Sequence, residues 1–487
     1  MTNEHNLAVL ADEHIERVGD YESLLFEGQL HRSGTLHDRG CRLAAGLRAA
    51  GVQPGDRVVV LTMNTPEVGI VYSACWRAGA VVTPVMFLIS PPELRHILTD
   101  CEPSLVLITP ELKPLLDSAS EGLDLRVAVI GEDSYAELEA AEPAGITDRA
   151  DDDLAALLYT GGTTGRSKGV MLTHQGLWFA GWALKEGGKA LETTRAILPL
   201  PLSHAFGIMV ACSGMHAETQ RFSVLQRWFN AEDWVDQVEK HRLETSPVVP
   251  SMLTMILALP LEGRDLSSLK MLGSGAAPLA PAVRQQVRER MGVEIYEGYG
   301  LTESTAGVSA NRFGANKPGS VGRPLPGVEV RIADDGEILV RSWGVMAGYW
   351  KSPEQTAETV IDGWLHTGDI GSLDDEGYLY INDRKKDLII RGGFNVYPRD
   401  VEEALLQHPS VVQAACVGRP DEVSGEEVVA VVALAPDATI TGPELVEWSK
   451  SVLSKYKYPR EIVVLPAVPL TSVGKTDRKA VRALVSG

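Results

Sequence analysis

Five short stretches of the sequence carry side chains suited to phosphate and nucleotide chemistry. The first is YTGGTTGRSKGV, residues 159–170: Gly161, Gly162 and Gly165 permit close backbone approach, Thr160, Thr163 and Thr164 supply hydroxyls, and Lys168 supplies a cation. Lys168 follows Gly165 by three positions, so the GxxxxGK[ST] phosphate loop is absent while its physics is kept. The second is EGYGLTES, residues 297–304, where the hydroxyl of Thr302 beside the carboxylate of Glu303 suits a magnesium-bound phosphate. GWLHTGDIG (363–371), DRKKD (383–387) and LTSVGKTDR (470–478) place Asp369, Arg384, Lys386 and Lys475 in glycine-punctuated or highly charged surroundings. Taken singly, each residue also has a bland reading: Glu303 as a helix N-terminal acid, Asp369 as a turn residue, DRKKD as a solvated face, Lys475 as an exposed lysine.

These stretches need rigid elements to hold them. RVVVLTM (57–63), AVVTPV (80–85), SLVLIT (104–109), RVAVI (126–130) and LAALLYT (154–160) read as buried strands. Helical patterns lie between them from Leu36 to about Ala50, from Pro66 to Ala78, and after Ser90, whose Pro91 and Glu93 make a capping box. Strands alternating with helices predict a parallel-sheet α/β architecture. Between about 310 and 345 the pattern changes to short proline- and glycine-punctuated strands, a small β-rich unit. After Asp383 a strand–turn–strand (DLIIRGGFNVY), a helix from Asp400, strands VVQAACVG and EVVAVVALA and a last helix predict a separate smaller domain. GEDSY (131–135) is superficially like a carrier-protein attachment site, but it follows a strand of the large region and is read as a loop.

Composition bounds the partners. The chain has 487 residues, ample for two or three units, with a net charge of −20 and a pI near 5.0. That balance argues against binding nucleic acid or an anionic membrane, since both are polyanions. The five dispersed cysteines favour reduced thiols in a cytoplasm over a disulfide frame or a zinc site. The acidic N-terminus does not read as a signal peptide, and no apolar run approaches the ~18–20 residues of a membrane span.

In their order, the five stretches resemble the motifs of the AMP-forming adenylating superfamily: acyl-CoA synthetases, adenylation domains of peptide synthetases and beetle luciferases. The usual loop reads YTSGTTGxPKG; here Gly161 replaces the serine and Ser167 the proline. The resemblance implies that Thr163, Thr164 and Lys168 hold the β- and γ-phosphates of ATP, with Thr160, Gly161, Gly162 and Gly165 completing the loop. GSGAAPL (273–279) brings Gly275, Ala276 and Ala277 along the adenine and the substrate carboxylate. In the segment of Glu297, Gly298, Tyr299 and Gly300, Tyr299 stacks on adenine; Thr302 contacts the α-phosphate and Glu303 holds Mg²⁺. Asp369 and Arg384 reach the ribose, Lys386 is a hinge, and Lys475 reaches the carboxylate and α-phosphate. His204, in PLSHAFG, borders the acyl and pyrophosphate positions, and Gly392 and Gly393 leave room for a pantetheine arm.

The implied architecture is a large N-terminal α/β domain (1–383) with a small β-rich unit, and a mobile α+β lid (384–487). The implied reaction is ATP-dependent ligation of a carboxylic acid to coenzyme A through acyl-AMP. A separate acyl carrier protein or an amine is the alternative acceptor, and a homodimer is the assembly considered. The candidate pocket segments 228–230, 249–252, 273–277 and 298–309 are mostly small or apolar, with no aspartate placed for an α-amino group. A fatty acid is the first expectation and an aromatic acid the second.

Overall fold

A computed structural model describes residues 4–160, 167–421, 423–436, 438–471 and 476–486. The Val- and Leu-rich runs become strands of a seven-stranded sheet in the order Gly348–Tyr349, Lys168–Thr173, Leu154–Thr160, Val81–Val85, Arg57–Leu61, Leu105–Ile108, Val127–Val129. The last five are mutually parallel. Their near-continuous apolar character follows from burial on both faces: Val58 and Val60 pack into one core, Val59 and Leu61 into another. Helices Ser33–Ala49, Pro66–Ala78 and Pro91–Cys101 fall where the periodicity places them, and Ser90 and Glu93 form the capping box.

The parallel pattern breaks at one edge. Leu154–Thr160 and Lys168–Thr173 are antiparallel, with Thr160 directly opposite Lys168. The intervening Gly161, Gly162, Thr163, Thr164 and Gly165 lie outside the described residues. A nine-stranded sheet follows in the order Arg323–Pro324, Ser309–Ala310, Ile295–Tyr299, Met271–Ser274, Thr245–Val248, Arg195–Leu198, Phe222–Leu225, Glu22–Phe26, Gln29–Arg32. Its core centres on fully buried Trp234, whose indole N–H donates to Ser246 Oγ at 3.1 Å.

The chain divides into two compact units, Met1–Val330 with Val340–Leu365, and Arg331–Leu339 with His366–Gly487. The expected boundary between residues 383 and 384 lies inside the second of these units. In the smaller unit, Gly425–Leu434 pairs antiparallel with Val411–Asp421 and parallel with Glu461–Leu465. Strand alternation sorts its core. Val428, Ala430 and Val432 pack with helices Pro398–Leu405 and Gly442–Val452, while Val429 and Val431 pack with Arg478–Val485. The predicted helix from Asp400 starts two residues earlier, because Pro398 and Arg399 supply its first turn. Helix Gly442–Val452 and strand Glu461–Leu465 have no separate counterpart in the sequence reading.

Two smaller expectations also meet the structure. GEDSY is a loop only in part: Gly131 makes the turn, a short helix begins at Asp133, and Ser134 Oγ accepts from Val129 N at 3.0 Å. All five cysteines are buried and unpaired, and burial pushes their thiols up, Cys101 to about 12. Among the described residues, no helix is long and apolar enough to cross a membrane.

One buried histidine makes this fold sensitive to acid. His174, fully buried at the start of helix His174–Gly187, accepts from Leu7 N at Nδ1 (3.3 Å), and its Nε2 has no partner among the described residues. Burial, reinforced by Arg149, lowers its pKa to about 4 from an ordinary 6.5. The unfolded chain therefore binds the proton first, so stability contributed by neutral His174 is complete above pH 6.5 and is lost as pH falls towards 4. The loss amounts to about 3 kcal/mol. Thermal unfolding between pH 4 and 7 should show a steeper decline for the native chain than for His174→Gln; equal slopes would remove His174 from this role.

Candidate active site

Glu303 is fixed by its own turn and by the strand opposite. After strand Ile295–Tyr299 the chain folds back at Gly300, where a Cβ would lie 1.9 Å from Ala306 O, so only glycine fits. Thr302–Ser304 is a 3-10 turn locked by Ser304 Oγ, which accepts from Leu301 N (3.2 Å) and donates to Leu301 O (3.0 Å). Thr305 Oγ1 donates to Gly344 O at 2.6 Å, and Met346 N donates to Glu303 O at 2.8 Å. The carboxylate is then met by Tyr349, whose hydroxyl donates to Glu303 Oε1 at 3.0 Å. Tyr349 belongs to the edge strand paired with Lys168–Thr173, and Lys168 Nζ stands 4.8 Å from its ring centroid. Two of the predicted residues, Lys168 and Glu303, are thus joined through a third that the sequence reading did not single out.

The predicted adenine-side segments are neighbours. Ser274 is opposite Glu297 in register, which sets Gly275 beside Gly298. Ala276 holds a left-handed φ of 68°, a conformation that costs a non-glycine residue of order 1 kcal/mol and clusters at functional sites. The buried carboxylate of Glu297 pairs with Arg284 on helix Pro281–Met291, so its side chain anchors that helix. His204 is the N-cap of helix Ala205–Met215, and its Nδ1 accepts from Phe206 N at 3.2 Å.

The smaller unit assembles its own set. Asp369 lies opposite Arg384 across antiparallel strands Trp364–Leu373 and Leu379–Arg384, with Arg384 Nε 2.7 Å from Asp369 Oδ1. Asp369 is buried and Arg384 exposed. Buried Glu337 organises the turn before Asp369: it accepts from Gly368 N (2.9 Å) and Lys385 Nζ (3.1 Å) and meets His366 Nδ1 at 3.2 Å. Burial alone would raise the Glu337 pKa, but these three contacts together hold it below the usual carboxylate range. DRKKD is not simply a solvated face. Asp383 and Asp387 are buried, the latter 2.6 Å from Arg482, while Arg384, Lys385 and Lys386 between them are exposed. Gly392 and Gly393 form a two-residue hairpin loop with φ of 57° and 83°, the double positive φ of a type I′ turn. Lys475 lies outside the described residues.

Sequence reasoning passed over Tyr349, Glu337 and Arg284. Each acts by contact with a residue distant in the chain, and none sits in a stretch with its own chemical signature.

Residues 11–350 match the AMP-binding enzyme family, and residues 400–475 match the AMP-binding enzyme C-terminal domain. The chain is 38% identical over 462 residues to a feruloyl-CoA synthase of an Amycolatopsis species, covering 92% of each. It is 34% identical over 503 residues to a long-chain-fatty-acid–CoA ligase of Bacillus subtilis, covering 91% of this chain and 89% of that one. Its fold superposes on ATP-bound MatB of Rhodopseudomonas palustris with a TM-score of 0.91 at 31% identity, covering 98% of each chain. A family match over both parts of the chain, together with relatives of this identity and coverage, identifies this protein as a member of the AMP-binding enzyme family, among the AMP-forming acyl-CoA synthetases.

Proposed function

We propose that the protein is an ATP-dependent carboxylic acid–CoA ligase that activates a fatty or aryl acid as its acyl adenylate and passes the acyl group to the thiol of coenzyme A. The observation that carries this reading is the Lys168–Tyr349–Glu303 arrangement, a cation and a carboxylate held at fixed spacing beside the phosphate loop. In the first half reaction a carboxylate oxygen attacks the α-phosphorus, and the bond to pyrophosphate breaks. Anion meets anion in that step, so catalysis is positioning and charge neutralisation. Lys168, with Thr163 and Thr164, takes the departing phosphates; Thr302 and Lys475 take the α-phosphate side. In the second half reaction the thiol sulfur attacks the acyl carbon, AMP leaves with the bonding pair, and the thiol proton passes to solvent. Asp369 and Arg384 hold the ribose, and Gly392 and Gly393 admit the pantetheine arm. Lys386 is the hinge between the half reactions.

Magnesium fits Glu303. Its Oε1 is engaged by Tyr349 and, among the described residues, Oε2 has no hydrogen-bond partner, which suits a hard cation that takes one carboxylate and several phosphate oxygens. When bound, the ion neutralises phosphate charge. An apolar acid is supported by the pocket segments and by the Phe87–Trp228 ring pair at 5.7 Å, Trp228 being half exposed. Relatives named for feruloyl and long-chain fatty acyl groups span the same range. Reduced, buried cysteines support a cytoplasmic setting.

Pyrophosphate release over a panel of fatty and aryl acids, with and without coenzyme A, tests the reading. Release should occur with at least one apolar acid and turn over with coenzyme A; silence across the panel overturns it. Lys475→Ala should lower acyl-AMP formation by roughly 10²–10³. Thioester formation from supplied acyl-AMP should stay within a few-fold, and equal loss in both assays would reassign the lysine.

A further inference from the structure

We infer that Tyr349 is the positioning residue that keeps the phosphate-loop cation and the metal carboxylate apart and correctly aimed. The inference rests on the assignment of Glu303 to magnesium. Lys168 and Glu303 carry opposite charges on neighbouring elements, and a direct ion pair between them would cancel both before ATP arrived. No such pair forms among the described residues: the phenol ring stands between them, its face towards Lys168 Nζ at 4.8 Å and its hydroxyl on Glu303 Oε1 at 3.0 Å. The two contacts reinforce each other. Donating to a carboxylate shifts electron density onto the phenol oxygen and ring, which strengthens the negative face that attracts the ammonium.

Tyr349 is itself rigid. Only 7% of its surface is exposed, its backbone pairs with Val170, and its N–H donates to Thr356 Oγ1 at 2.8 Å. Ala347 N to Met171 O (2.9 Å) and Trp350 N to Gly169 O (2.8 Å) extend the same pairing on either side. The carbonyl of Glu303 is tied to this segment through Met346 N. A phenol held against both the Lys168 strand and the Glu303 turn therefore sets the Lys168-to-Glu303 spacing to which a magnesium-bound triphosphate must fit. Its hydroxyl also holds Oε1, which would leave Oε2 for a bound cation.

Calorimetric ATP binding with and without Mg²⁺ separates this role from a structural one. In the native chain Mg²⁺ should tighten ATP binding. Tyr349→Phe keeps the ring and loses the hydroxyl, so it should forfeit about tenfold to a hundredfold of that tightening, the range for a hydrogen bond to a charged group. Its Mg²⁺-free ATP affinity should stay within about twofold, because the ring still holds Lys168. Tyr349→Leu should weaken Mg²⁺-free binding as well. In a Glu303→Gln background Tyr349→Phe should add no further Mg²⁺-linked loss, since the two residues act on one interaction. Equal Mg²⁺-linked tightening in the native chain and Tyr349→Phe overturns the proposal, as does an undiminished effect of Tyr349→Phe in the Glu303→Gln background. If Mg²⁺ does not tighten ATP binding in the native chain, the assignment of Glu303 to the metal fails first and the role of Tyr349 falls with it.

Discussion

The constraint on which the rest of this structure depends is electrostatic. A chain of net charge −20 must hold a polyanionic nucleotide beside an anionic acid, and it must do so with few positive groups at defined points. Most of its arginines are already committed. Arg39 is shared between Glu67 and Glu139, Arg227 between Glu27 and Glu111, and Arg284 is held by buried Glu297. Lys168 is held differently: it rests on an aromatic face, which orients an ammonium without neutralising it.

Backbone architecture supplies the precision. The large unit is mainly a parallel α/β framework, yet Leu154–Thr160 and Lys168–Thr173 pair antiparallel, and a two-residue edge strand, Gly348–Tyr349, extends that irregular margin. Each pairing fixes one chemical group. Thr160 is set opposite Lys168, and Tyr349 opposite Val170. Ser274 opposite Glu297 aligns the alanine-rich segment with the tyrosine-bearing one. Register in a buried sheet cannot slip without turning side chains to the wrong face, so the positions of these groups are as secure as the core.

The smaller unit uses the same logic with buried charge. Glu337 gathers a backbone N–H, a lysine and a histidine around the turn that presents Asp369, Asp387 ties the charged stretch 383–387 to Arg478 and Arg482, and Asp383 accepts from the backbone N–H groups of Arg384 and Arg399. Breaking one partner of such a network leaves a buried charge uncompensated, which costs far more than losing an exposed pair. The turn presenting Asp369 is accordingly built on a buried, hydrogen-bonded support.

Much of this was legible in the sequence. Valine-rich runs had to become buried strands, the Ser90 and Glu93 spacing had to cap a helix, two adjacent glycines had to make a tight turn, and five motifs in order pointed to one chemistry. Those readings rest on local rules, namely propensity, periodicity, capping and turn geometry, which act within a few residues. What only the tertiary structure decided is which distant residues meet: Tyr349 with Glu303 and Lys168, Glu337 with Gly368, and Arg284 with Glu297. A lone tyrosine or glutamate has no local signature for such a role. Its partner is chosen by strand register and sheet order, and those are set by burial of the whole core rather than by the residues on either side of it.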